Sequence, residues 1–254
     1  MNDGKDDKDT LPHVNSLYDN YVSYGLIDKN EADGGKVFLL KGGIIYDTRD
    51  IEANPNKGIW TEMVLFAAPK FFENQFVGLS FTHRQYITLI PKRVTFAYRL
   101  GYKAKLAGEI PFYFDTYILN SYSNTVLPEG LGGAKTLRGI LRNRIVGDGF
   151  GYGNFELRYK AIKTTFGNQN LYIAFNGFAD CGIVTNPFEI DKTKIPIALQ
   201  SDYFYKQNDE LHWSVGGGVH LALNENFVLS VNYGRALKIQ DGTSGLYITM
   251  NWIF

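Results

Sequence analysis

The feature that most constrains this chain is strict two-residue alternation, repeated along most of its length. In "GLYITMNWIF", Leu246, Ile248, Met250, Trp252 and Phe254 fall on one face of an extended chain, and Tyr247, Thr249 and Asn251 on the other. "FVLSVNYG" sets Phe227, Leu229, Val231 and Tyr233 against Ser230 and Asn232. "RVTFAYRLGYKA" sets Val94, Phe96, Tyr98, Leu100 and Tyr102 against Thr95, Ala97, Arg99, Gly101 and Lys103. "GNFELRYKAI" sets Phe155, Leu157, Tyr159 and Ala161 against Asn154, Glu156, Arg158 and Lys160. One face is apolar throughout, and the other is small, polar or charged. A sandwich alternates too, so alternation leaves sandwich and barrel open. Length separates them: the segments run roughly 9–13 residues, beyond the ~5–6 of soluble sheets and near the ~9–11 that cross a bilayer on a tilt. Trp60, Trp213, Trp252 and Phe254 sit near strand ends, which fits interfacial girdles.

Nine such segments are read, at about 36–48, 58–68, 76–90, 93–107, 150–163, 170–183, 211–223, 227–237 and 245–254. Their connections are sorted by length. "PK", "FGNQN" and "NEN" are short, whereas 108–149 and 184–210 are long. Short turns at one end and long loops at the other characterise an outer-membrane barrel.

Composition agrees. With 26 basic and 26 acidic residues the net charge is zero, which argues against a nucleic-acid partner. Cys181 is the sole cysteine, so there is no internal disulfide and no Cys/His metal spacing; no metal and no cofactor is expected. Its parity puts Cys181 on the apolar face. No apolar run reaches the ~18–20 residues of a membrane helix. Residues 1–35 read as a polar segment between barrel strands, with a short helix around Val14–Leu26. "MNDGKDDKDT" lacks the apolar core of a signal peptide, so the chain is read as cytosolic or as a piece of a longer exported protein.

The loop "GGAKTLRGILRNR", residues 132–144, is unusual for a solvent-facing connection: its centre is Leu-Arg-Gly. It is not a phosphate loop, since it lacks the Gly-Lys-Ser/Thr ending. "TLRG" (Thr136–Gly139) resembles the Val/Leu-Arg-Gly-aromatic motif of the BamA/TamA outer-membrane assembly superfamily, with Ile140 in the aromatic's place. "FELR" carries Glu156 where that family has a strand glutamate, and "FADCG" matches its Phe-x-Asp-x-Gly pattern. "YDTRDIEANPNKG" is similar to the family's Tyr-Asp-x-Arg-Asp…Pro-x-x-Gly hairpin, "GEIPFYFD" before "GLGG" to the approach to the loop, and the final Phe to its terminal strand. The motifs run in order over residues 36–254, in wording similar to POTRA-less members from Bacteroidetes.

The resemblance implies an all-β transmembrane antiparallel barrel of about 16 strands, with about nine read here as its C-terminal part, residues 36–254. It implies that the long loop folds into the lumen and that Arg138 and Gly139 meet Glu156, Asp180 and Gly182 on the following strands. The parity read independently puts Glu156 on the polar face, and Asp180 with Tyr172 and Asn176. Leu246, Ile248, Met250, Trp252 and Phe254 would form the terminal strand that signals the chain's own insertion. The expected location is the bacterial outer membrane. The expected partners are outer-membrane lipids and unfolded outer-membrane or secreted polypeptides. The expected work is non-enzymatic: insertion or secretion of proteins. The competing reading is a passive channel or structural barrel. A lipase-type barrel is disfavoured, because Ser214 and His220 lie ~20 Å apart along one strand. Lacking its first strands, the isolated chain is expected not to function.

Overall fold

The computed structural model describes residues 16–70, 75–121, 126–127, 130–203, 209–224 and 226–254. "MNDGKDDKDT" lies outside these residues. The chain divides into two units, residues 1–35 with 189–207 and residues 36–188 with 208–254.

In the first unit Ser16 caps a helix over Leu17–Ser23. Its hydroxyl accepts from the Asp19 amide at 3.1 Å, and the Asp19 carboxylate accepts from the Ser16 amide at 2.8 Å; the two bonds satisfy donors that every helix start leaves unpaired. The helix is shorter than the sequence suggested because Gly25 turns the chain at φ +69°. Residues 189–207, read from sequence as part of a barrel loop, group with this unit and carry a helix over Ile197–Tyr203.

The second unit is a nine-stranded sheet. Its strands are β1 (Leu40–Asp47), β2 (Gly58–Ala68), β3 (Phe76–Ile90), β4 (Val94–Gly108), β5 (Gly149–Phe166), β6 (Gln169–Asn186), β7 (His212–Leu223), β8 (Phe227–Ala236) and β9 (Ser244–Met250). Each pairs antiparallel with its neighbour in sequence. All nine segments read from the sequence are strands, and β5 and β6 are longer than the alternation indicated, at 18 residues each. The β3–β4 connection is Pro91–Arg93 rather than a two-residue turn; Lys92 takes φ +61° there.

The faces of the sheet are inverted relative to a water-soluble protein. Thr95, Ala97, Arg99 and Lys103 of β4 are buried, as are Asn154, Glu156, Arg158 and Lys160 of β5. Leu65, Leu100, Leu157, Phe175, Val219 and Ile248 on the other face are exposed. A continuous apolar outer wall is unstable against water and stable against acyl chains. No helix among the described residues is long and apolar enough to cross a membrane; the strands are the elements suited to it. The sheet curves, because residues after β9 reach β3 and β4: Phe254 packs on Tyr86 and Ala97.

Two apolar clusters on the inner side hold the long loop. Phe66, Phe76, Ile110 and Leu119 form one; Leu131, Leu137, Ile140, Ile145 and Phe150 form the other. Ile140, standing where the resembling family has an aromatic, is fully buried in the second cluster. The loop is therefore packed as a core, burying apolar side chains on a face that is otherwise polar.

Two expectations about the chain end are corrected. Leu246, Ile248 and Met250 lie on the outer face, but Trp252 and Phe254 are only 6% and 7% exposed. The strand stops at Met250 and Asn251 takes φ +65°, which breaks the two-residue period and turns the tail inward. Trp60, Trp252 and Phe254 therefore form no outer girdle. Trp60 shares the inward parity of Glu62 and Val64 on β2 and lies under the Arg84 guanidinium at 4.3 Å.

Candidate functional site

Arg138 reaches the inner face from the centre of the loop segment 132–144 and is 1% exposed. Its Nε and Nη2 donate to Asp180 Oδ2 and Oδ1, both at 2.9 Å, and its backbone amide donates to Oδ2 at 3.0 Å. Its Nη1 donates to Glu156 Oε1 at 2.6 Å. The guanidinium carbon sits 3.4 Å over the Phe178 ring. A planar fork of donors matches a carboxylate edge-on and leaves its own face free for a ring. Burial alone would lower the Arg138 pKa; Glu156 and Asp180 reverse this and raise it, so the residue is a permanent cation.

The cluster continues beyond the three residues. Arg158 Nε donates to Glu156 Oε2 at 2.8 Å, and its Nη2 donates to the Phe254 carbonyl at 3.1 Å. One carboxylate thus joins the loop arginine to the arginine that holds the chain end. The loop backbone is fastened on both sides of Arg138. Asn154 donates to the Thr136 carbonyl at 2.6 Å, and Arg99 to the Lys135 carbonyl at 2.7 Å. The Gly139 amide donates to the Tyr247 hydroxyl of β9 at 2.8 Å, and the Leu141 amide to the Asp241 carbonyl at 2.8 Å.

Two glycines make this approach possible. Gly139 has φ +91°, and a Cβ there would stand 2.6 Å from the Arg235 amide nitrogen. A Cβ on Gly234 would stand 2.8 Å from the Arg138 carbonyl carbon. Both neighbours are backbone and cannot rotate away. Gly182, by contrast, faces the ends of Leu137 and Leu131, so it shapes the apolar bed beneath the loop.

A Ser/His contact does exist, but not the one considered from sequence. His220 Nδ1 lies 2.7 Å from Ser230 Oγ, and that hydroxyl donates to the Asn251 carbonyl at 2.7 Å. The serine proton is committed to a carbonyl and both side chains are fully buried, so the pair is a tail anchor rather than a nucleophile and base. Among the described residues no group of three or more His, Cys, Asp or Glu is placed to hold a metal. Cys181 is half-buried on the face opposite Asp180.

The Omp85 superfamily domain matches residues 6–254 of this sequence. The chain belongs to the Omp85 superfamily. Among solved structures, BamA from Haemophilus ducreyi lacking POTRA domains 1-3 matches with a TM-score of 0.57 and 16% identity, over 84% of this chain and 42% of that one. At that identity the likeness is one of fold: the nine strands are a C-terminal portion of a BamA-type barrel wall. The chain spans less than half the length of that structure. No curated protein matches the sequence.

Within the Omp85 fold, sequence reasoning missed Arg158, Phe178, Asn154 and Tyr247 as members of the cluster. Parity was the available signal for the first three. Arg158 is two residues from Glu156, and Phe178 two from Asp180, each on the inward face. Tyr247 gave no comparable signal, because its partner is a backbone amide 108 residues away.

Proposed function

We propose that this chain is the C-terminal part of an outer-membrane Omp85 barrel that inserts or exports polypeptides, and that it acts without covalent chemistry. The observation that carries the reading is the loop pinned by Arg138 to two inward carboxylates and, one residue on, to the edge strand β9 through Tyr247. An edge strand offers unpaired backbone groups, and strand addition is the physical route by which an extended client would be recognised. A loop fastened to that strand can hold it in place while no client is present. The apolar packing of the loop on the inner face favours this over a passive channel, which needs a wetted lumen.

The test is planar-bilayer conductance of the full-length gene product. Unfolded outer-membrane polypeptide should raise conductance or be inserted, and the charge swap Arg138→Asp should uncouple the response while Arg138→Asp with Asp180→Arg restores it. Steady ion conductance indifferent to polypeptide would support the passive-channel reading instead.

A further inference from the structure

We propose that His212, Asp209 and Asp241 form a pH-operated clasp at the loop end of the wall, closed while the imidazole ring holds both of its protons and opened when it gives one up. His212 is the first residue of β7. Its Nδ1 lies 2.8 Å from Asp241 Oδ1 in the β8–β9 connection, and its Nε2 lies 2.9 Å from Asp209 Oδ1 in the β6–β7 connection.

The donors and acceptors decide the state of the ring. An ionised carboxylate only accepts, so a ring bonded to carboxylates at both nitrogens donates from both. A neutral ring donates from one nitrogen, and the second carboxylate then faces a lone pair. One contact has to break, and the two are not equal. Asp241 is 1% exposed, and its Oδ2 is buried without a donor; losing His212 would strand a buried charge, which is costly. Asp209 is exposed and keeps the Val184 amide on its Oδ2 at 2.7 Å, so water can replace the ring there. The neutral ring therefore keeps its proton on Nδ1 and lets Asp209 go. Gly182 with His212 is the last pairing between β6 and β7, so the contact that breaks is the one that ties the β6–β7 connection back to β7. The Leu141 amide stays on the Asp241 carbonyl, and the pinned loop is left in place.

The charged neighbours are matched elsewhere: Lys238 by Glu210 at 2.8 Å, and Asp180, further down the inner face, by Arg138. The ring lies outside the membrane-spanning part of the wall. Arg235, an exposed cation on the outer face, pairs with Val215, and His212 lies three residues further toward the loops. Hydrogen bonds to Asp209 and Asp241 outweigh burial and raise the His212 pKa above its ordinary 6.5. A raised pKa gives stability that is complete below the unfolded value and is lost as pH rises through the folded one. The clasp thus opens on the alkaline side of 6.5.

The full-length gene product, folded in detergent with isotope-labelled histidine, would be titrated by NMR from about pH 5.5 to 9. The rate of protease cleavage between β6 and β7, normalised to an unfolded substrate at each pH, would be read beside it. His212→Gln assigns the resonance. The expected result is a His212 transition above 6.5, with cleavage rising about tenfold or more through it, the loss of one hydrogen bond to a charged group. His212→Gln should lose the rise, as should Asp209→Asn, whose amide can donate to the neutral ring. The second variant carries the comparison if the first fails to shift on heat-modifiable gels. A His212 transition at or below 6.5 overturns the proposal. So does cleavage that stays flat in the wild type or rises unchanged in the variants.

Discussion

Replacing Arg138 with Met tests whether the loop cluster is held as a unit. The four buried charges of the cluster, Arg138, Arg158, Glu156 and Asp180, sum to zero. The substitution removes three side-chain hydrogen bonds and leaves a net charge of −1 in a buried space. The loss is uneven: Glu156 keeps Arg158 and Asn176, whereas Asp180 keeps the position-138 backbone amide. Breaking a buried pair by removing one partner costs about 3–5 kcal/mol, because the remaining charge is uncompensated. Converting Asp180 to Asn as well returns the charge sum to zero. The double variant should therefore lose less than the two single losses together, by on the order of 2 kcal/mol. Arg138→Met with Glu156→Gln leaves Asp180 unmatched and should show no such rescue. The assay is the urea midpoint of detergent-folded protein, followed by tryptophan fluorescence, beside the folded fraction on heat-modifiable gels. A single-variant loss below about 1 kcal/mol, against the 3–5 kcal/mol expected, or strict additivity in the Arg138/Asp180 pair, would refute the reasoning.

Gly139→Ala should lower the folded fraction strongly, since it combines φ +91° with a backbone clash, while Gly34→Ala, with φ +77° and nothing within 4 Å of its Cβ, should be far milder on the same gels. Deleting Phe254 takes an acceptor from Arg158 and a buried ring from Tyr86 and Ala97; urea unfolding should show a loss of at least about 3 kcal/mol, the lost burial adding to the lost bond. Burial raises the Asp209 pKa, but hydrogen bonds from His212 and the Val184 amide outweigh it and hold the carboxyl below its ordinary 3.8. A depressed pKa stabilises above the unfolded value and is lost as pH falls through the folded one. Protease cleavage after β6 should therefore rise as pH drops below about 3.8, and Asp209→Asn should remove that dependence.

The wall of the barrel was legible because a two-residue period is local: each strand declares its two faces without reference to any partner. Glu156 and Asp180 were placed on the inner face by the same period. The tail was not legible, because "TMNWIF" keeps the period in sequence while Asn251 abandons it in space. The reason is long-range: Trp252 stacks on His220 at 3.7 Å and Arg158 lies 4.4 Å over its ring. Those partners lie more than thirty and ninety residues upstream. The grouping of residues 189–207 with the N-terminal segment was equally hidden, since neither stretch carries a strong period.

The pinned loop also fixes an order of assembly. Every sheet pairing joins sequence neighbours, with the loop as the long detour between β4 and β5, so the wall can grow hairpin by hairpin at little loop-closure cost. Arg138, however, comes before both of its carboxylates: Glu156 follows by 18 residues and Asp180 by 42, and Tyr247 follows Gly139 by 108. Docking the loop on a finished wall would require desolvating its apolar clusters and a permanent cation in one late step. Laying β5, β6 and finally β9 over a loop already in position spreads that desolvation over successive pairings. The loop thus serves as the form on which the second half of the wall is cast.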